Sequence, residues 1–244
     1  MGTFVLVHGA WHGGWCYTHV RTALQQQGHS VFTPTLTGVG ERSHLMSRSI
    51  NLSTHVEDIV NVLEWEDIED AVLVGHSYGG FVITGVAERA AERIRHLVYL
   101  DAFLPNDGER LLDLLPQPFL DMFYKGANEA GGGYKVPPIP AVTFNVNEAD
   151  RALVDRKCTL HPLAAFEERI TIKGRPGNGR PATYILATNW EGTPFPPMKE
   201  RAGTRVAHGR RRLRSRHHAR RTREADRRAQ KILTRTATRR TSGR

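Results

Sequence analysis

The chain has 244 residues, of which 39% are hydrophobic and 24% charged, a length and balance that fit one globular domain with a substantial core. Its formal net charge of +9 is unevenly placed, because residues 201–244 carry 17 Lys and Arg against two acids, whereas residues 1–200 carry 17 basic and 23 acidic groups. Residues 1–200 therefore give no argument for a nucleic-acid partner.

The N-terminal residues, the apolar runs and the cysteines of the chain bear on the cellular location of the protein. The first predicted strand begins near Thr3, which leaves no room for a signal peptide, and Leu6 breaks the myristoylation pattern. No apolar run approaches the ~18 residues that span a membrane. Cys16 and Cys158 are too few for a disulfide framework and predict free thiols. We expect a cytoplasmic protein with no membrane partner.

Short aliphatic runs alternate with helical patterns along the chain. The runs predict strands at 4–7, 31–32, 71–74, 96–100 and 183–187. Helical patterns occupy about 17–27, 53–65, 79–92 and 146–156, with Ser53 predicted to start the second helix. Because the strands do not alternate in polarity, each is expected to be buried on both faces. The fold class is therefore α/β, a doubly wound, mostly parallel sheet.

Residues from about 103 to 166 interrupt this alternation. The stretches 111–116, 119–124 and 131–140 predict short helices and irregular chain rich in Leu, Phe and Met. We interpret them as a small cap over the carboxyl edge of the sheet, where α/β sheets bind ligands. The predicted domains are thus a core over 1–200, including the cap, and an arginine-rich tail over 201–244.

The most informative motif lies at residues 72–80. Apolar residues run into Gly75-His76-Ser77-Tyr78-Gly79, and a helical pattern follows. This order of strand, sharp turn and helix is that of a nucleophile elbow, which exposes the serine hydroxyl above the sheet. The motif therefore predicts that Ser77 is a catalytic nucleophile.

A glycine-rich turn closes the first predicted strand, at residues 8–15. Acyl transfer through serine needs two backbone N–H groups aimed at the developing oxyanion. Tyr78, which follows the nucleophile, is expected to supply one of them and this turn the other. Phosphate binding is a weaker alternative, because the Gly-x-Gly-x-x-Gly spacing is absent.

Four segments make a family resemblance specific: His8–Trp15, Thr33–Arg42, Gly75–Gly80 and Leu97–Pro105. They resemble the bacterial esterase branch of the α/β-hydrolase family, which is similar to plant methylesterases and hydroxynitrile lyases and includes pyrethroid- and carbendazim-hydrolysing esterases. The resemblance covers about residues 3–198. It implies Ser77 as nucleophile and the N–H groups of Ala10 and Tyr78 as oxyanion hole.

The acid of the predicted triad has two candidates. In this fold the chain order is serine, acid, histidine. Glu191 follows the strand at 183–187 and is the first choice, although the family more often has Asp there. Asp101, at the end of the preceding strand, is the second.

The histidine has no matching position. His8, His12 and His44 come too early in the chain for the base and are expected near the pocket instead. His208, His217 and His218 come late enough, but no predicted strand or turn positions them.

The tail does not resemble the family, whose chain ends there in a strand and Cys-Gly-His-Asp. Synonymous codons for Leu213 to Glu224 exist that encode Cys-Gly-His-Asp-Ile-Met-Pro-Asp-Glu-Pro-Glu when read one base later. We therefore hypothesise a frameshift near residues 199–206, real or a sequencing error; the alternative is a genuine basic tail.

These patterns predict a serine hydrolase that cleaves a small, largely apolar carboxylic ester, carbamate or amide through an acyl-enzyme. Trp11, His12 and Tyr78 are expected at its substrate pocket, with no metal and no organic cofactor. Three alternatives stand beside this prediction: a hydroxynitrile-lyase-like enzyme, a ligand-binding protein impaired by the missing histidine motif, and a nucleic-acid-binding protein acting through its tail.

Overall fold

The computed structural model describes residues 1–188, 190 and 193–203. Its central element is a parallel five-stranded sheet with the strand order β2-β1-β3-β4-β7. The strands of the described part are β1 Thr3–Val7, β2 Ser30–Phe32, β3 Ala71–Ser77, β4 Ile94–Ala102, β5 Lys135–Val136, β6 His161–Pro162 and β7 Ala182–Ile185.

Helices follow most of the strands. The α-helices of the described part are α1 Thr18–Gln25, α2 Leu52–Trp65, α3 Gly79–Arg89, α4 Gln117–Ala130, α5 Glu148–Lys157, α6 Ala164–Glu167 and α7 Pro196–Ala202. Short 3₁₀ segments occur at Gly14–Tyr17, Gly40–Leu45, Ala91–Arg93, Leu111–Leu114, Ala141–Phe144 and Pro176–Gly179.

The sheet is buried on both faces, as its unalternating strands predict. Side chains of successive strand residues point to opposite faces, so each strand contributes to two cores. Phe4 and Leu6 of β1 pack with Leu24 of α1 on one face. Val5 and Val7 belong to the larger core, which α2 and α3 complete on the other face. The predicted α/β class with a mostly parallel sheet is confirmed.

The start of α2 differs from the prediction. The helix begins at Leu52, and Asn51 rather than Ser53 is its N-cap. The Asn51 side chain accepts the Thr54 N–H at 3.0 Å, and the Thr54 hydroxyl accepts the Asn51 N–H in return. Ser53 instead donates its hydroxyl and its N–H to the Glu168 carboxylate. Both residues are good capping types; the local capping box with Thr54 favours Asn51, and the tertiary contact to Glu168 engages Ser53.

Two other elements were not predicted as such. The segment expected to form short helices contains the 14-residue helix α4, which opens after Pro116 and buries Phe123 and Ala127 one turn apart. Helix α7 continues past residue 200 to Ala202, so residues 201 and 202, which were assigned to the tail, form the last residues of this helix. Arg201 of α7 donates to the Leu104 carbonyl at 2.9 Å.

The segment 103–166 also contains a small two-stranded ladder. Strands β5 and β6 are antiparallel, pairing Lys135 with Pro162 and Val136 with His161. His161 is fully buried, and Val136 is nearly so. This ladder contacts the turn after β1, and this contact brings the segment to the carboxyl edge of the main sheet.

Candidate active site

Ser77 is the last residue of β3 and has a left-handed backbone, with φ of 52°. The turn beside it has no room for side chains: a Cβ on Gly75 would lie 2.5 Å from the Gly79 carbonyl oxygen, and one on Gly79 2.8 Å from the Val7 carbonyl oxygen. Strained backbone in a non-glycine residue persists only where the surroundings enforce it. The strand, turn and helix α3 together form the strained elbow that the motif predicts.

The turn after β1 packs directly on the elbow. A Cβ on Gly9 would lie 3.0 Å from the Ser77 Cβ, so the glycine lets the two segments touch. Carbonyls of this turn bond to histidines: His8 Nδ1 lies 2.8 Å from the Gly9 oxygen, and His12 Nδ1 lies 2.7 Å from the Ala10 oxygen. Trp11, the next residue, has φ of 64°.

His8 has one tautomer that satisfies both of its contacts. Its Nε2 accepts the Leu36 N–H at 3.1 Å, so the proton must sit on Nδ1 and point to the Gly9 carbonyl. Burial, together with the neighbouring histidines, lowers the pKa of His8 to about 3. His8 is therefore neutral and donates to the Gly9–Ala10 peptide, the one that carries the Ala10 N–H.

The Tyr78 side chain is buried and anchored in the core. Its hydroxyl lies 2.8 Å from His55 Nδ1, and His55 Nε2 lies 2.9 Å from the Thr37 carbonyl oxygen. Since a carbonyl only accepts, His55 donates through Nε2 and accepts the Tyr78 hydroxyl at Nδ1. Asp58 fixes Thr37 in turn, accepting its N–H at 2.6 Å and its hydroxyl at 2.7 Å. This chain of bonds holds the residue after Ser77 in place.

Asp101 occupies a bulge on the strand beside the elbow. The pairing of β3 with β4 matches His76 to Leu100 and Ser77 to Ala102, so Asp101 is the extra residue between them, with φ of 46°. Bulges beside active sites redirect a side chain. The Asp101 carboxylate accepts the Ala187 N–H at 3.1 Å, and burial raises the pKa of Asp101 to about 6.

These elements surround one cavity of about 220 Å³. Its wall from the core comprises Gly9, Ala10, Trp11, His12, His76, Ser77, Tyr78, Asp101 and Phe103. Its wall from the segment that follows is apolar: Leu111, Leu115, Phe119, Phe123, Ile139, Phe144, Val146, Val154 and Phe166. Trp190, Pro194 and Phe195 complete the lining in the described part of the chain. Such a cavity suits a small ligand that is apolar except at the group facing Ser77.

The model of the alpha/beta hydrolase family matches residues 4–232 of the sequence. The chain belongs to this family. A carbendazim hydrolyzing esterase of Nocardioides sp. strain SG-4G is 46% identical over 203 residues, which cover 80% of this chain and 84% of that protein. The putative methylesterase 14 of Arabidopsis thaliana is 33% identical over 193 residues, 72% of this chain and 56% of that protein.

A solved structure shows the same fold in a bacterial relative. The extracellular alpha/beta-hydrolase from a Paenibacillus species superposes with a TM-score of 0.69 at 26% identity, over 77% of this chain and 78% of that one. It is described as sharing structural and functional homology with tobacco salicylic acid binding protein 2. The resemblance to the esterase branch of the α/β-hydrolases, stated from four sequence segments, is thereby confirmed.

The hydrolase fold brings most of the expected site residues to one cavity. Ser77, Ala10, Tyr78, Trp11, His12 and Asp101 all line it. Glu191, the first choice for the acid, lies outside the described residues, as do His208, His217 and His218. His44 is exposed and bonds to the Glu41 carbonyl, and His8 is fully buried below the turn.

Sequence reasoning did not single out His55 or His161. Each is fully buried within the hydrolase core and bonded to a residue of the proposed oxyanion hole or its turn. The one available signal was weak: both histidines stand in segments whose apolar neighbours predict burial.

No histidine of the described residues hydrogen-bonds the Ser77 hydroxyl. His76 lines the cavity, but burial lowers its pKa to about 4. The described residues include no group of three or more His, Cys, Asp or Glu side chains that could hold a metal ion. Within the same residues, every helix is too short or too polar to cross a membrane.

Proposed function

We propose that this α/β-hydrolase cleaves small, largely apolar carboxylic esters through an acyl-enzyme on Ser77. The observation that carries the proposal is the strained Ser77 elbow, packed against a glycine turn and opening into an apolar cavity. The relative named as a carbendazim hydrolyzing esterase, 46% identical over four fifths of the chain, supports ester-type substrates.

The Ser77 hydroxyl attacks the ester carbonyl, and a histidine takes its proton. The N–H groups of Ala10 and Tyr78 bind the oxyanion that forms. As the tetrahedral intermediate collapses, the carbon–oxygen bond to the alcohol breaks and the histidine gives the alcohol its proton. Water then repeats the attack on the acyl-enzyme and releases the carboxylic acid. No cofactor takes part in these steps.

Glu191 is the proposed acid that orients the histidine, with Asp101 as the alternative. Chain order favours Glu191, which follows β7. The Asp101 carboxylate already accepts the Ala187 N–H, at the start of the segment that leads to Glu191. Asp101 therefore has a role in anchoring that segment even when it does not contact the histidine.

The histidine base belongs, in this proposal, to residues 204–244 or to the shifted reading of their codons. The intact mass of the protein from its native source, with the sequence of its coding region, separates these two readings. A mass that fits the shifted frame restores Cys-Gly-His-Asp, whereas a mass that fits the present sequence leaves His208, His217 and His218 as the candidates.

The experiment that tests the function is hydrolysis of p-nitrophenyl butyrate and of carbendazim by the purified chain and by Ser77→Ala. We expect butyric acid and p-nitrophenol from the butyrate, and 2-aminobenzimidazole, CO₂ and methanol from carbendazim, with kcat lower by at least about 10³-fold in Ser77→Ala. A fluorophosphonate probe should add its mass to the wild type and not to the variant. Equal rates in both proteins would refute the proposal.

A ligand-binding protein without turnover is the second candidate, because no described histidine hydrogen-bonds the Ser77 hydroxyl. It predicts binding of butyrate esters by calorimetry with no product formed over hours. A lyase would instead release an aldehyde from a cyanohydrin.

A further inference from the structure

His161 connects the segment over the cavity to the turn that carries the Ala10 N–H. Its Nδ1 accepts the Trp11 N–H at 3.3 Å, across 150 residues of sequence. Two more bonds join Trp11 to the same segment: the Thr159 N–H donates to the Trp11 carbonyl at 3.0 Å, and Trp11 Nε1 donates to the Val136 carbonyl at 3.0 Å. Trp11 is thus held on its amide and its indole by the β5–β6 ladder, and on its carbonyl by Thr159, two residues before β6.

The peptide between Ala10 and Trp11 is fixed at both ends by histidines. His12 bonds to its carbonyl oxygen, on Ala10, and His161 accepts from its N–H, on Trp11. A peptide group is planar, so two contacts on opposite edges set its orientation. The Ala10 N–H lies on the neighbouring peptide, which meets this one at the Ala10 Cα, so its position depends on that orientation and on the backbone angles of Ala10.

The His161 ring also touches the other proposed oxyanion residue. It meets the Tyr78 ring edge to face, with centroids 4.9 Å apart, and stacks on Phe166 at 4.5 Å and 14°. One side chain therefore contacts both Tyr78 and the turn that carries Ala10.

A purely packing role does not explain a histidine here. Because Nδ1 accepts from Trp11, the proton of the neutral ring is on Nε2, and this buried atom has no hydrogen-bond partner in the described structure. An unpaired buried N–H lowers stability, and phenylalanine would fill the space without one. What phenylalanine lacks is the acceptor for the Trp11 N–H.

His161 stays in this acceptor form at neutral pH. Burial and the nearby His55, His8 and His12 hold the pKa of His161 well below its usual value. The ring therefore carries no second proton that would compete with the Trp11 N–H.

We propose that His161 is a positioning residue, which sets the oxyanion turn from the segment above the cavity by holding the Trp11 amide. This inference rests on the proposed serine esterase function. It predicts that the turn reaches its catalytic geometry only when the β5–β6 ladder is docked on Trp11.

The test uses three variants of the full chain. His161→Phe keeps a ring and removes the acceptor, and His161→Asn offers an amide oxygen near the Nδ1 position. His96→Phe is the matched control, because His96 is a part-buried histidine bonded to Thr183 in the sheet and does not line the cavity. If His161→Phe does not fold, His161→Leu replaces it.

The first readout is hydrogen–deuterium exchange of the peptide that contains residues 9–13. We expect exchange at least about tenfold faster in His161→Phe, and rates close to wild type in His161→Asn and His96→Phe. The second readout is ester hydrolysis, where we expect kcat to fall about 10- to 100-fold in His161→Phe with KM within twofold, and to recover in His161→Asn. Recovery of kcat despite a lower Tm in His161→Asn separates positioning from stability.

Unchanged exchange in His161→Phe would overturn the inference, as would an unchanged kcat where the wild type shows turnover that depends on Ser77. Equal defects in His161→Asn and His161→Phe would also overturn it. Absence of turnover in a wild type whose coding frame over residues 204–244 has been verified refutes the proposed function instead, and the exchange experiment still decides the role of His161.

Discussion

The two walls of the cavity are built by different means. The wall from the sheet is local: Ser77 lies between glycines that allow backbone segments to approach, and all the glycines of the elbow are within three residues of it. The wall above it is joined to the sheet through contacts between distant residues, such as Trp11 with His161 and Gly40 with Thr159. The elbow of the proposed nucleophile can therefore be predicted from a short motif, whereas the fixing of the proposed oxyanion turn depends on the tertiary structure.

The largest predicted effect concerns the proposed acid of the triad. Glu191→Gln should lower kcat by about 10³- to 10⁴-fold, because an amide cannot hold the histidine in the required tautomer. Asp101→Asn should cost about tenfold or less, since its amide oxygen can still accept the Ala187 N–H. Steady-state hydrolysis of the two variants is the measurement, and the opposite ranking would make Asp101 the acid.

The next largest effect is expected where an added side chain disrupts the packing of the elbow. A Cβ on Gly80 would lie 2.0 Å from the Phe103 carbonyl oxygen, so Gly80→Ala forces helix α3 away from β4. We expect a loss of about 3 kcal/mol or more in the free energy of unfolding. The control is Gly174→Ala, where nothing lies within 4 Å of the added Cβ. Urea titrations that gave both variants the same stability would contradict the close packing.

Acid should weaken the whole structure through histidines that are buried without charge. Burial lowers the pKa of His8 to about 3 and of His76 and His96 to about 4. Between pH 6.5 and about 4 the unfolded chain therefore binds protons that the folded chain does not, and stability falls as the pH falls. The buried His8 and His76 each contribute up to about 1.4 kcal/mol per pH unit, and the partly exposed His96 contributes less because solvent screens its charge.

Asp101 acts in the opposite direction over part of this range. Its pKa, raised to about 6, means that the folded state binds a proton before the unfolded state does, which favours folding as the pH falls from 6 to about 4. Because one carboxyl group opposes three histidines, the free energy of unfolding falls overall as the pH falls. Urea unfolding at pH 7, 6 and 5 should show this loss, with a steeper one in Asp101→Asn. A flat profile in both proteins would count against neutral buried histidines.

The smallest effect is expected in the upper wall. Phe119 of α4 lines the cavity, and Phe119→Ala should raise KM for an apolar ester about 3- to 10-fold with little change in kcat, because it removes contact with the substrate alone. Met122→Ala, on the exposed side of the same helix, is the control and should change neither constant. A fall in kcat in Phe119→Ala would show that this wall also positions the reacting groups.

The limits of prediction follow the same division. Motif order and glycine spacing gave Ser77 and the turn after β1, because steric limits act between neighbours in sequence. Asp101 was chosen for its place at a strand end, but its bulge and its bond to Ala187 depend on how β4 pairs with β3 and β7. The N-cap of α2 was misassigned by two residues: Asn51 forms a capping box with Thr54, and Glu168 binds Ser53 from a distant part of the chain.

By itself the sequence determined the α/β class, the positions of the main strands, and the serine elbow with the glycine turn after β1. These features depend on hydrophobic pattern and on short-range sterics, both of which are written in contiguous residues. Only the tertiary structure decided the roles open to His8, His55 and His161, because the sequence does not show whether a histidine binds a ligand, takes part in the reaction or holds the backbone in place. The hydrogen-bond partner of each ring nitrogen is set by contacts between residues far apart in the chain.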